Sequence, residues 1–307
     1  MFVKDFGGTF LTTEPYSTPR GTLPGISAFL QWYIPPNPKQ TSITFIHGGG
    51  GQGAEFVTTS DGRKGWVHVF LAAGYPVFVL DRPGHGRSFW NEEVLGDVTP
   101  SPSYEKLLPY FVTPSKGALW PEAVKHTQWP RNEDASHRFM ASQGPMASDL
   151  VVSQRHMEAI SSQLLTFTGR TALVCHSAGG PCAWAMSAIG GDMIAAILAV
   201  EPLGYPDYEH SLGRFANGLA PAEFEGKNDP YACPIAIVTG EASWMRDANS
   251  KAVTFLRELG KDVEHIRLWE RGVFGNGHMM MSESNSDEIA AVMLDWFESI
   301  SKPDCVF

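Results

Sequence analysis

Thr171-Ala-Leu-Val-Cys-His-Ser-Ala-Gly-Gly-Pro-Cys-Ala-Trp184 is an apolar run that ends in a serine set among small residues and passes directly into a helix-forming segment. A serine presented at a sharp strand-to-helix turn sits in strained backbone, which demands small residues two places before and two places after it. Those places hold Cys175 and Gly179. The first is more often glycine, and cysteine is compact enough to substitute. Such a turn exposes Oγ and aims the N–H of Ala178, at a helix N-terminus, where an oxyanion would form. Ser177 is therefore a candidate nucleophile. A buried serine in an ordinary strand-turn-helix would leave a similar trace, so the rest of the chain has to supply context.

Upstream, Ser42 to His47 reads as a buried strand that runs into Gly48-Gly-Gly-Gly-Gln-Gly53. Gly48, Gly50 and Gly53 satisfy G-x-G-x-x-G, but the dinucleotide fingerprint needs a helix to open at its glycines. Here Thr58 to Arg63 reads as a turn and the next helix is expected only near Lys64, at Trp66 to Ala73. The competing reading is a glycine-rich oxyanion loop after the third strand, with His47-Gly-Gly-Gly supplying N–H donors from Gly49 and Gly50. Pro76 to Asp81 is the next apolar strand, and strand-helix-strand implies a parallel right-handed crossover. His85, between two glycines in the turn Asp81 to Ser88, reads as structural. Val3 to Thr13 and Ile26 to Pro35 are expected to form an antiparallel edge.

From Phe89 to Pro145 the periodicity dissolves into Pro, Trp, Ser and charged residues. A stretch that long is expected to be an inserted cap over the site, with residues 203–232 joining it. Its aromatics Trp120, Trp129 and Phe139 are candidate substrate contacts, with Phe111 and Met140 beside them. Met146 to Phe167 and Pro181 to Ile189 show helical spacing on either side of the Ser177 turn. Pro234 to Thr239 and Val263 to Trp269 read as strands, Ser250 to Leu259 and Ser286 to Ile300 as helices.

Ile194 to Val200 is a buried strand closed by Glu201, and ligands in open α/β sheets lie beyond the C-terminal strand ends. His278 follows the last strand in a loop with Gly275 and Gly277, so it reaches the same rim. Ser177, Glu201 and His278 thus provide a hydroxyl, a carboxylate to fix a tautomer and an imidazole base, in the order Ser, acid, His. His68, His126, His137, His156, His210 and His265 are read as surface or cap groups. The commoner source of the acid is the turn after the seventh strand. There the usual spacing of three past Gly240 lands on Ser243, Glu241 falls one past that glycine, and Asp247 reads as a helix cap. Glu201 is accordingly the expected acid, unless it bonds backbone amides of the 203–232 excursion instead.

The chain of 307 residues, 43% hydrophobic, suits one large α/β domain with an insertion. A net charge of −10 without a Lys/Arg run argues against nucleic acid or anionic membrane as partner. No apolar run spans a membrane and no leader precedes the first strand, so a soluble cytoplasmic protein is expected, a leader removed earlier being left open. Cys175, Cys182, Cys233 and Cys305 have no metal-type spacing and read as thiols, the last one place short of a prenylation motif. No metal is expected.

These features together resemble the α/β-hydrolase superfamily over nearly the whole length: His47-Gly-Gly-Gly, Asp81-x-x-Gly84-x-Gly86-x-Ser88, the turn around Ser177, and Gly277-His278. Asp61-Gly-Arg-Lys-Gly-Trp66, Cys175-His-Ser-x-Gly and Glu201-Pro202 look like a bacterial and fungal esterase branch whose acid follows the sixth strand. The resemblance implies a mostly parallel twisted sheet with helices on both faces, hydrolysis of a small-molecule carboxylic ester or lactone, and no cofactor; it leaves a homodimer open. Rival functions are acyl transfer, cyclisation or C–C hydrolysis on the same fold, a non-catalytic ligand-binding protein, and, from the glycine run alone, a nicotinamide-dependent oxidoreductase.

Overall fold

The computed structural model describes residues 3–203, 209–210, 213–214 and 228–300. Eight strands form its central sheet: β1 (Asp5–Thr12), β2 (Ser27–Ile34), β3 (Ser42–Ile46), β4 (Val77–Asp81), β5 (Thr171–His176), β6 (Ile194–Val200), β7 (Ile235–Thr239) and β8 (Val263–Arg267). Their spatial order is β1-β2-β4-β3-β5-β6-β7-β8. β1 pairs antiparallel with β2, and β2 antiparallel with β4; every later pairing is parallel. The expected antiparallel edge and parallel body are both present.

Strands β3 to β7 are covered on both faces, which their uninterrupted apolar runs demand. Successive residues point to opposite sides. Ala172 and Val174 join one core with Trp66, Phe70, Ile289 and Phe297, whereas Leu173 and Cys175 join the other with Ile160, Leu164, Trp184 and Leu256. Helices Val67–Ala72 and Ser286–Ile300 thus cover one face, and Leu150–Thr168, Gly179–Gly190 and Arg246–Glu258 the other.

Several boundaries differ from expectation. The helix after Ser177 begins two residues early, at Gly179, and the helix after β7 begins at Arg246 rather than Ser250. Asp247 lies in that helix's first turn, and its cap position is Met245, without a side-chain cap bond. A single helical turn, Ala54–Val57, does open at Gly53, where none was expected before Lys64. Its first amide is taken, because Gly53 N–H donates to Asp81 Oδ1 at 2.7 Å. The ground the sequence offered against a dinucleotide loop, that no helix opens at the glycines, is therefore not met here.

Between β4 and Leu150 the chain builds short helices, Glu92–Leu95, Tyr104–Phe111, Pro114–Gly117 and Glu133–Ser142, with a 3₁₀ turn at Pro121–Lys125. Asn91, Ser103 and Asn132 each accept from an amide in the first turn of the helix that follows, the local signal that starts a helix in a segment without periodicity. Most of the expected 203–232 excursion, and the His210 side chain and Cys305 with it, lies outside the described residues. Cys175, Cys182 and Cys233 are free thiols.

Candidate active site

Ser177 has φ +51°, a left-handed conformation that a side chain adopts only under constraint. Its amide donates to Val200 O at 3.1 Å, and its carbonyl accepts from Gly180 N–H at 2.9 Å and Leu203 N–H at 2.9 Å. The turn is therefore braced by β6 and by the residues after it. A Cβ at Gly179 would stand 2.7 Å from the carbonyl oxygens of both Ile46 and His47, which is the reason the second small position admits nothing larger. Cys175 fits at the first as a fully buried core residue.

Glu201 also has positive φ, +47°, one of three such non-glycine residues among those described. The strain turns its carboxylate back over the sheet end. Oε2 receives His278 Nδ1–H at 2.8 Å and the Ser243 hydroxyl; Oε1 receives Gly240 N–H at 2.8 Å. The alternative that Glu201 serves the 203–232 excursion does not describe these bonds. Burial pushes its carboxyl up, and the Ser243 and Gly240 donors oppose that; with three donors converging on its two oxygens the group is held as a carboxylate. Burial also drives His278 down to about 3, with the Glu283 carboxylate opposing, so the ring is neutral near pH 7. With Nδ1–H committed to Glu201, the lone pair resides on Nε2.

The loop that carries His278 is clamped from several sides. Glu283 accepts from Gly277 N–H at 2.7 Å, Asn276 Nδ2 at 2.6 Å and His126 Nε2 at 2.9 Å. His176 donates from Nε2 to the His278 carbonyl at 3.0 Å. His176 stands in the Cys175-His-Ser-x-Gly turn without a role that the motif assigns to it, and Glu283 lies in no motif; an acid five residues past the histidine is a signal only in hindsight.

Ser177 and His278 line one cavity of about 390 Å³ together with Gly48, Gly49, Gly50 and Ala178. No hydrogen bond joins Ser177 Oγ to His278 in this structure, and such bonds often tighten only with substrate bound. Buried Arg82 donates to the carbonyl of Gly49 at 2.9 Å and to that of Gly48. In a trans peptide the N–H points opposite to the C=O, so these two bonds turn the N–H groups of Gly49 and Gly50 away from Arg82. Arg82 lies in the quoted turn after β4, yet its role depends on a fold contact that sequence spacing does not display.

Of the three expected substrate contacts, Phe139 lines the cavity and the two tryptophans do not. Trp129 packs edge-on behind Phe139 at 5.5 Å, and Trp120 bonds to Ala242 O and stacks on Tyr110. Both are large enough to reach past the wall but are held one layer out by these contacts. Phe111 does line it, with its ring 5.4 Å from that of His278. His85 is buried, bonded through Nδ1 to Pro83 O at 2.9 Å and packed on His47, as a structural residue would be. His156 and His265 are neither surface nor cap groups: the first is buried on Leu150–Thr168, and the second bonds Thr239 Oγ1 from within β8. Glu241 points away from the cavity, paired with Lys125 at 2.9 Å and accepting Gly275 N–H. Among the described residues no cluster of three or more His, Cys, Asp or Glu could hold a metal ion, and no helix is long and apolar enough to cross a membrane.

No family model matches the chain. A probable secreted lipase, phiG, of a fungal species (strain ATCC 74256) is 30% identical, the match covering 91% of this chain and 87% of the relative. A solved structure described as a novel bacterial esterase superposes with a TM-score of 0.76 at 25% identity, covering 97% of this chain and 96% of that one. The expectation of a cytoplasmic protein is overturned by this relative, whose name is that of a secreted lipase. With its sheet order, its strained serine turn and a curated lipase relative across nine-tenths of its length, the chain belongs to the esterase and lipase branch of the α/β-hydrolase superfamily and is a carboxylic-ester hydrolase.

Proposed function

We propose that the protein cleaves a carboxylic ester or lactone through an acyl-enzyme, with Ser177 as nucleophile, His278 as general base and acid, and Glu201 as the carboxylate that holds the imidazole. The observation that carries this reading is the 2.8 Å bond from His278 Nδ1 to Glu201, made by a ring that shares a cavity with Ser177. Neutral His278 takes the Ser177 proton at Nε2 as Oγ attacks the carbonyl carbon, and Glu201 stabilises the imidazolium that forms. The N–H groups of Ala178 and Gly49, with Gly50 as a third, receive the oxyanion. His278 then gives its proton to the leaving alkoxide. Water attacks the acyl-enzyme by the same route, releasing the acid and restoring Ser177.

The segment from Phe89 to Pro145 acts as a cap over this cavity, since Leu107, Phe111 and Phe139 from it form an apolar wall opposite the serine. The relative's name favours action outside the cell. A panel of activated esters, lactones and amides run on wild type and Ser177→Ala tests the assignment, with a serine-directed phosphonate mapped by mass spectrometry. Loss of turnover in a folded variant and an adduct on Ser177 are expected. A label on another residue would overturn it.

A further inference from the structure

Glu55, on the single helical turn after the glycine loop, is 7% exposed and lines the same cavity as Ser177. Its Oε1 accepts from Gln143 Nε2 at 2.6 Å, while no side-chain or backbone donor among the described residues bonds Oε2, and Glu55 lines the cavity. Burying a carboxyl with one oxygen unpaired is costly unless something supplies the missing donor. A tether between cap and glycine loop does not account for it, because Gly144 N–H to Gly50 O at 2.7 Å and Gln52 Nε2 to Ser142 O at 3.2 Å already join those segments. Room is kept for the free oxygen as well: a Cβ at Gly51 would stand 2.5 Å from Oε2.

Much of the remaining wall is apolar, from Leu107, Phe111, Phe139, Met146 and Trp244, with Thr99, Lys106 and Tyr110 as further polar groups on it. A small number of polar groups in such a pocket fixes which way a ligand lies. Resting on the ester-hydrolase reading of this cavity, we propose that Glu55 is a substrate-recognition residue whose free oxygen accepts a hydrogen bond from a hydroxyl or ammonium group of the substrate, so that donor-bearing esters are preferred over their hydrocarbon counterparts. Around Glu55 stand Arg82 and Asp81 on the sheet side, the uncharged Gln143 from the cap, and Lys106 on the cavity lining. Burial raises the carboxyl to about 7, with the Gln143 bond and Arg82 opposing. An ammonium-bearing substrate is thus favoured more as pH rises through that value, whereas either protonation state accepts from a hydroxyl.

The test compares kcat/KM for 4-nitrophenyl hexanoate, 6-hydroxyhexanoate and 6-aminohexanoate, and for hexyl, 6-hydroxyhexyl and 6-aminohexyl acetate, so that both sides of the ester are sampled. Wild type should favour a donor-bearing member of one series by about tenfold or more. Glu55→Leu should abolish the preference, and Glu55→Gln should keep a hydroxyl preference but lose an ammonium one. Gly51→Ala, whose methyl displaces Oε2 while Glu55 remains, should lower the same ratio and serves if Glu55→Leu fails to fold. A wild-type ratio of one throughout, or a ratio that none of the folded variants changes, overturns the inference while plain ester turnover still supports the hydrolase. Turnover unaffected by Ser177→Ala would instead overturn the reading of the site beneath it.

Discussion

The Ser243 hydroxyl donates to Oε2 of Glu201, the same oxygen that holds His278 Nδ1–H at 2.8 Å. Ser243 stands three residues past Gly240, where the commoner arrangement of this fold carries its acid. In the proposed assignment the acid comes from the end of β6, one strand over, and the residue at the usual place is its hydrogen-bond donor. Glu201→Gln should therefore lower kcat on the order of a thousandfold or more with little change in KM, because the amide no longer stabilises the imidazolium or fixes its tautomer. Ser243→Ala should cost roughly tenfold, and Glu241→Gln and Asp247→Asn should be mild. Steady-state kinetics on the four variants decide it; a dead Asp247→Asn beside an active Glu201→Gln would move the acid to β7.

Arg82 acts on the other half of the site. By holding the Gly48 and Gly49 carbonyls it sets the direction of two amides without approaching the substrate. Arg82→Lys keeps the buried charge but cannot span both carbonyls, so kcat should fall roughly tenfold to a hundredfold with KM nearly unchanged. Gly49→Pro, which deletes one of the donors itself, should cost about a hundredfold or more. An Arg82→Lys variant with wild-type kcat would show that the loop holds its shape unaided.

Glu283 joins the His278 loop to the segment 89–145 through His126. Glu283→Gln replaces an acceptor oxygen by an NH₂ facing other donors, which should destabilise the fold by about 1–3 kcal/mol in denaturant titration. Turnover should fall with it, since Gly277 loses its anchor directly before His278. Equal stability of variant and wild type would show that the network is dispensable.

Burial raises the Glu55 carboxyl from the usual carboxylate range to about 7. Between those values the folded protein holds a proton that the unfolded chain has released, so stability is greatest at low pH within the window and declines as pH rises through it. The contribution is on the order of 3 kcal/mol. Glu55→Gln should flatten the fall in unfolding free energy between about pH 5 and pH 8 by that order. An identical slope in wild type and variant would place the pKa near its ordinary value.

The sheet, the strained turn at Ser177 and the meeting of Glu201 with His278 were legible because each rests on a local pattern: buried apolar runs, small residues about a turn, an acid closing a strand, a histidine in a glycine-rich loop. Arg82, Ser243 and His126 were not, because each matters through a partner far away in the chain, from 33 residues for Arg82 and Gly49 to 157 for His126 and Glu283; Glu283 anchors Gly277 only six residues away, but no motif marks that spacing. The aromatic wall shows the same limit. Composition marked residues 89–145 as rich in large rings, but which ring faces the cavity is decided by how short helices pack, and that is not written in their spacing.

Phe139 and Trp129 make that last point testable. Phe139 forms part of the cavity wall, with Phe111 at 6.3 Å and Trp129 at 5.5 Å packed against it. Phe139→Leu shortens the wall while keeping most of the packing, so the space gained adjoins the substrate and the preferred chain length should move up by roughly two carbons. Trp129→Ala opens its space behind Phe139 instead. It should destabilise the protein by about 1–3 kcal/mol, and alter chain-length preference less than Phe139→Leu does. The two effects separate by measuring kcat/KM across 4-nitrophenyl acetate to decanoate alongside thermal melts. A larger shift in Trp129→Ala than in Phe139→Leu would mean that the cap rearranges on binding and that the tryptophan, not the phenylalanine, meets the chain.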